Sequence, residues 1–215
     1  MELFNEISEA LQKGKAKVVK ELTEKALAEG LAAKDVLEKG LLPGMDVIAV
    51  KFKNNEVYVP EVLVAARAMN AGTTILKPHL AEEGATAIGK CVIGTVKGDL
   101  HDIGKNLVRM MMEGKGIEVI DAGIDVSPEK FLEIYKEQKA DVIAMSALLT
   151  TTMGEMENTV KAFKEAGERE NVVMMVGGAP VTDSFCKNIG ADIYMPDAAS
   201  AAEAAKEAIM KKKAA

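Results

Sequence analysis

Four short apolar runs, 91–96, 117–120, 142–145 and 172–176, alternate with helical stretches near 104–114, 128–138, 152–168 and 180–188. A weaker fifth run, Asp192-Ile193-Tyr194, leads into a last helix from about Ser200 to Lys212. Apolar runs without polar alternation belong to strands covered on both faces, and strand–helix alternation requires right-handed crossovers between parallel strands. This half of the chain is therefore expected to form an α/β domain around a parallel five-stranded sheet. In the strand order 2-1-3-4-5 the winding reverses between the first and third strands, and ligands of such sheets bind beyond the carboxyl ends at that reversal. The loops there are 94–104 and 146–152.

The preceding residues carry only helical periodicity. Leu3, Phe4, Ile7, Ala10 and Leu11 mark one apolar face, and Val18, Val19, Leu22, Ala26 and Leu27 a second, closed by Gly30. A third stretch is expected to reach a break at Pro43-Gly44 and resume over 45–52. Asn54-Asn55 reads as a turn, Pro60 as a helix start, and the helix through Val62, Leu63, Ala66 and Met69 as ending before Pro78. Short connections favour an antiparallel all-α helical bundle. The expected division is a bundle over 1–87 and the α/β domain over 88–215, with the polar segment 82–87 as a hinge that lets the bundle swing as a movable cover.

Composition removes several functional classes. A net charge of -6 with both signs interspersed argues against nucleic acid as partner. No apolar run approaches the ~18 residues of a membrane span, and the acidic start is no signal peptide, so a cytoplasmic location is expected. Cys91 and Cys186 read as buried thiols of a reducing compartment, too few for a thiolate metal site. Lys211-Lys212-Lys213 complements the dipole of the last helix. Met110-Met111-Met112 and Met174-Met175 stand at core positions, and His79 reads as a helix-end residue.

The chemistry concentrates in Gly94-Thr95-Val96-Lys97-Gly98-Asp99-Leu100-His101-Asp102-Ile103-Gly104, which holds one of only two histidines. Asp99 stands two residues before His101, close enough to hold one ring nitrogen while the other faces outward. A carboxylate so placed fixes the tautomer and raises the basicity of a ligating imidazole. The loop lacks the Lys-Ser/Thr pair of a P-loop and the three-glycine dinucleotide fingerprint, so a metal ligand or catalytic base is the better reading of His101. Ser146 to Thr152 supplies hydroxyls after the third strand. Thr151 or Thr152 is suited to cap the next helix, yet capping leaves the small pair Ser146-Ala147 unexplained. Gly177-Gly178-Ala179-Pro180 is a third small-residue loop on the same edge. In the helical half, Tyr58-Val59-Pro60-Glu61-Val62 joins bulky residues to a helix start and is placed to cover an apolar ligand face.

Asp99-Leu100-His101-Asp102-Ile103-Gly104 with Ser146-Ala147-Leu148 and Gly177-Gly178 is the D-x-H-x-x-G, S-x-L, G-G signature. The chain thus resembles cobalamin-binding proteins of the base-off, histidine-on type. End to end it is similar to the small corrinoid proteins of anaerobic methyltransferase systems. Its helical half resembles the cap of the cobalamin module of methionine synthase. The resemblance implies a flavodoxin-like (Rossmann-like) fold for the α/β half and cobalamin or a related corrinoid as cofactor. It implies that His101 ligates cobalt and that Asp99 binds its other ring nitrogen. Thr152 stands where methionine synthase extends this relay with a serine. Gly98, Leu100, Asp102, Ile103 and Gly104 complete the cofactor loop, and Ser146, Leu148 and Thr150 contact the displaced nucleotide tail. Gly177, Gly178 and Ala198 line its slot, while Val59, Val62, Ala66 and Met69 shield the upper face.

The implied function is that of a methyl carrier. Cobalt(I) accepts a methyl group through a substrate-specific methyltransferase and passes it to a second methyltransferase with a folate or thiol acceptor. A reductive activase is an implied third partner. The alternatives are the cobalamin-binding subunit of a mutase, a cobalamin-dependent sensor, and a flavodoxin-like receiver or flavin domain. Mutases pair this module with a barrel, sensors require a DNA-binding segment, and a receiver leaves His101 without a role.

Overall fold

The computed structural model describes residues 2–82 and 87–214. Segment 83–86, and with it most of the expected hinge, lies outside the described residues. The chain divides into two compact units, one of Met1–Ala87 with Gly114–Gly116, the other of Ile88–Glu113 with Ile117–Ala215.

The first unit is helical: α1 (Glu2–Gln12), α2 (Ala16–Ala28), α3 (Ala33–Val36), α4 (Leu42–Lys53) and α5 (Val59–Glu82). Ile7, Leu11, Val19, Leu41, Met45, Val62 and Leu76 are among its buried side chains. Two expectations fail here, both at proline. There is no break at Pro43-Gly44, because a π turn over Leu37–Leu41 runs directly into α4. In that turn the Leu42 N–H donates to the Leu37 carbonyl, five residues back, and Pro43 sits in the first turn of α4, where a missing N–H costs nothing. Nor does α5 end before Pro78; it continues to Glu82. Thr74 and Pro78 are both exposed, so water can solvate the carbonyl that loses its donor.

The second unit is a five-stranded, all-parallel sheet in the order β2-β1-β3-β4-β5, as expected. Its strands are β1 (Lys90–Val96), β2 (Glu118–Val126), β3 (Val142–Ser146), β4 (Val173–Gly177) and β5 (Ile193–Tyr194). Its helices are α6 (Ile103–Glu113), α7 (Pro128–Gln138), α8 (Gly154–Glu165), α9 (Asp183–Ile189) and α10 (Ala198–Ala214). Ser127 caps α7 by accepting from the Lys130 N–H, and Thr182 caps α9 by accepting from Phe185. One core joins Val92, Ile143, Met145, Met174 and Val176 of the sheet to Phe131, Met156 and Phe163 of the helices. Cys91 and Cys186 are free and buried, and burial pushes the Cys91 thiol up to about 12. No described helix is long and apolar enough to cross a membrane.

β2 runs six residues beyond the expected 117–120 and does so irregularly. Its register against β1 shifts between Ile93 and Gly94 and again between Gly94 and Val96. Gly123 (φ +92°) and Asp125 (φ +54°) take left-handed conformations in this stretch. The strand stays paired through the bulges, with Asp121 bonded to α6 and Asp125 to the loop after β1.

Candidate functional site

Strand register places the ends of β1, β3 and β4 at one level, since Thr95 pairs with Ser146 and Ser146 with Gly177. The three loops noted in the sequence therefore start from one edge. The last two are also bonded to each other: the Ala147 N–H donates to the Gly177 carbonyl at 3.2 Å.

The centre of the arrangement is Asp99, whose side chain is fully buried. Its Oδ1 accepts from His101 twice, from the backbone N–H at 3.1 Å and from ring Nδ1 at 2.8 Å. Its Oδ2 accepts from the N–H groups of Leu148 (2.8 Å) and Leu149 (3.2 Å) and lies 2.8 Å from Thr152 Oγ1. Five donors saturate the two oxygens. Burial acts to raise the Asp99 carboxyl. The hydrogen bonds from the His101 backbone and ring, Leu148 and Thr152 outweigh it and hold the group well below the usual carboxylate range. Asp99 is therefore an anion, and His101 donates to it from Nδ1. In the neutral ring this leaves the lone pair on Nε2, on a side chain that is 51% exposed. That is the state of a ligating imidazole.

His101 is fixed through its backbone as well. The buried Thr95 hydroxyl donates to the His101 carbonyl at 2.9 Å. Asp102 stands at the N-terminus of α6, where its carboxylate accepts from the Asn106 side chain at 3.0 Å. Gly98 makes its turn with φ +77°. The Thr152 hydroxyl faces Asp99 and not α8, whose start at Gly154 has no side-chain cap, so the capping expectation for this loop is replaced by the bond to Asp99. Thr152 Oγ1 is also 2.9 Å from the Leu149 carbonyl, and its single proton serves only one acceptor at a time.

The loops that carry His101 and bond Asp99 also expose apolar side chains: Leu100 is 66% and Ile103 77% exposed, and Leu148 and Leu149 are also open. Such clustering on a protein surface marks a binding face. Ser146 is half-buried and Thr150 exposed. A Cβ on Gly177 or Gly104 would meet nothing within 4 Å, so open space adjoins both. At Gly178 (φ +131°) a Cβ would overlap the Ala147 carbonyl oxygen, which makes glycine obligatory there. Ala198 is buried as the first residue of α10.

On α5, Val62 and Met69 occupy the buried stripe of the bundle with Ala65 and Leu76, whereas Val59 is half-buried and Tyr58 is 65% exposed. The spacing that suggested a cofactor face also serves packing within the bundle. Four polar residues of β2 and α6, Asp121, Asp125, Lys105 and Arg109, have no counterpart in the sequence reading. Asp125 bonds the histidine loop, its carboxylate to the Gly98 N–H and its N–H to the Asp99 carbonyl. Asp121 pairs with the buried Lys105 of α6 and with Arg109 at 3.2 Å. Burial acts to raise the Asp121 carboxyl, but Lys105 and the Gly123 N–H hold it below its ordinary value. Among the described residues no group of three or more His, Cys, Asp or Glu side chains is gathered to hold a metal ion.

A B12 binding domain matches residues 89–206, and a second B12 binding domain matches residues 3–77. The dimethylamine corrinoid protein of Methanosarcina barkeri is 43% identical over 96% of this chain and 97% of its own. A methanol:cobalamin methyltransferase complex from Methanosarcina barkeri contains a chain that superposes with a TM-score of 0.87. The match is 29% identical and covers 97% of this chain and 80% of that one. A cobalamin-binding protein from Desulfitobacterium hafniense superposes with a TM-score of 0.78, at 30% identity, over 95% of this chain and 98% of that one. The chain belongs to the family of B12-binding corrinoid proteins, and its cofactor is a corrinoid. The residues fit that group: one free imidazole nitrogen, exposed apolar side chains on the adjoining loops, and glycine-lined space beside β4.

Proposed function

We propose that this corrinoid protein is a methyl carrier, loaded at one partner methyltransferase and unloaded at another. The corrinoid, when bound, supplies a cobalt centre that takes up and gives up the methyl group. The protein supplies ligation and its control. The observation that carries this reading is the 2.8 Å bond between His101 Nδ1 and Asp99 Oδ1, which frees Nε2 as a ligand.

In this reading His101 would hold the group through Nε2 while Asp99 keeps the proton on Nδ1. Away from the group, Nε2 would be open to a proton from solvent, and the anionic Asp99 would stabilise the imidazolium. Thr152 holds the carboxylate in place, and its buried hydroxyl sets how strongly Asp99 pulls on the ring. Leu100, Ile103 and Leu148 support the cofactor's lower face, together with the backbone of Gly98, Asp102 and Gly104. Ser146, Thr150, Gly177, Gly178 and Ala198 bound the space for the displaced nucleotide tail.

The donor we favour is a methylated amine, because a relative similar over nearly the whole chain is named for dimethylamine. The acceptor partner in this reading is a folate- or thiol-dependent methyltransferase, with a reductive activase restoring the carrier after oxidation. The test has two parts. His101→Ala should fold normally, since the ring is half-exposed, yet lose the histidine-ligated absorption spectrum after reconstitution. Wild-type protein should accept methyl groups from an amine-specific methyltransferase in preference to a methanol-specific one. An unchanged spectrum in His101→Ala would overturn the ligand assignment, and equal or reversed donor preference would overturn the choice of amine.

A further inference from the structure

Asp99 is held from two directions. Its carboxylate is tied to the loop after β3, as described above. Its backbone is tied to β2 by a single residue, Asp125. The Asp125 N–H donates to the Asp99 carbonyl at 3.1 Å, and the Asp125 carboxylate accepts from the Gly98 N–H at 2.7 Å. One residue thus clamps two consecutive members of the histidine loop from a distant strand, 27 positions after Gly98.

To reach them, Asp125 adopts φ +54° at the second register shift between β1 and β2. That conformation disfavours residues with a Cβ, and Asp and Asn are the types that tolerate it best. A glycine would satisfy the backbone without strain but would offer no acceptor to Gly98. The neighbouring carboxylate cannot substitute, because Asp121 is engaged by Lys105, Arg109 and the Gly123 N–H. An exposed residue holds an unfavourable backbone angle here, and the hydrogen bonds which that angle permits are those to the histidine loop.

We propose that Asp125 is a positioning residue for His101. It fixes the two peptide groups that flank Gly98 and Asp99, through the Gly98 N–H and the Asp99 carbonyl, so that the Asp99 carboxylate meets ring Nδ1 squarely and Nε2 is presented at one height and angle. This rests on reading His101 as the lower ligand of the corrinoid. Asp125 acts through Gly98 and Asp99, the two residues it bonds.

Two variants of the full chain separate this role from a merely structural one. Asp125→Gly keeps the backbone angle and removes the acceptor, whereas Asp125→Asn keeps both the angle and an acceptor oxygen. In the cofactor-free protein, Gly98 amide exchange should quicken about tenfold or more in Asp125→Gly, the scale of one hydrogen bond to a charged acceptor. It should stay near wild type in Asp125→Asn. The NMR shifts of the His101 ring nitrogens should move in the glycine variant and return in the asparagine one. After reconstitution with cobalamin, Asp125→Gly should retain corrinoid but show a reduced histidine-ligated fraction, restored in Asp125→Asn.

Wild-type Gly98 exchange in Asp125→Gly would show that the clamp is not made. Faster exchange with an unchanged ring and an unchanged histidine-ligated spectrum would show that the clamp is made but positions nothing. Either result overturns the proposal. If wild-type protein takes up cobalamin with no histidine-ligated spectrum, the reading of His101 fails. The ring-nitrogen shifts of the cofactor-free protein then still decide whether Asp125 sets the imidazole.

Discussion

Asp99 and Leu148, 49 residues apart, are joined by a 2.8 Å hydrogen bond from the Leu148 N–H to Asp99 Oδ2. This bond makes the histidine loop and the loop after β3 a single object. The carboxylate that orients His101 also serves as the acceptor for the backbone of the neighbouring loop. The orientation of the His101 ring and local stability therefore depend on the same two oxygens.

Asp99→Asn tests that coupling. An amide offers one acceptor oxygen and one NH2, so whichever way it is turned, at least two of the five present donors face another donor. We expect a stability loss of about 3 kcal/mol at pH 7, the scale for unsatisfied buried partners of a charged group. The folded carboxyl lies below its unfolded value of about 4. Its contribution is therefore present above pH ~4 and is lost as pH falls through the lower folded value. Urea unfolding at pH 7 and near pH 3 should show the gap between variant and wild type narrowing with acid. A gap independent of pH would mean that the charge of Asp99 contributes nothing. In the reconstituted protein the cobalt reduction potential should shift and methyl transfer should slow by ~10–100-fold.

Thr152→Val removes one donor from Asp99 while keeping the side chain's shape. The loss should be about 1–2 kcal/mol, and Thr152→Ser should recover most of it. With one donor fewer, the carboxylate accepts more strongly from His101 Nδ1. The Nδ1 proton resonance of the cofactor-free protein should therefore move downfield in Thr152→Val and return in Thr152→Ser. An unmoved resonance in Thr152→Val would contradict the relay.

How far the sequence anticipates these features differs by element. The sheet order is legible because uninterrupted apolar runs separated by helices leave little choice of topology. His101 and Asp99 are legible because they sit in one short motif. The far half of β2 is not, since Asp121, Gly123 and Asp125 have the composition of a turn and only pairing with β1 holds them in a strand. Asp125 is hidden for that reason. Pro43 and Pro78 mislead in the opposite sense: a π turn and an exposed carbonyl accommodate them, and neither device has a signature in local composition. On α5 the ambiguity is of another kind, because Val62 and Met69 keep a spacing that suits a ligand face and a bundle core alike.

The two glycines after the core of β4 should separate cofactor fit from folding. Gly177 has open space where a Cβ would be, and nothing lies within 4 Å of that position. Gly177→Ala should therefore leave the cofactor-free protein as stable as wild type, within about 0.5 kcal/mol. Gly178 is different, because its φ is +131° and its Cβ would overlap the Ala147 carbonyl oxygen. Gly178→Ala must push back the loop after β3, and with it the N–H groups of Leu148 and Leu149 that donate to Asp99. We expect it to lower the thermal midpoint of the cofactor-free protein and to alter the His101 ring resonances as well. If the space beside Gly177 receives the nucleotide tail, the added methyl of Gly177→Ala should weaken corrinoid binding with no change in melting temperature. Unaltered affinity in Gly177→Ala would remove Gly177 from the tail slot and leave Gly178 as a purely structural requirement of the loop.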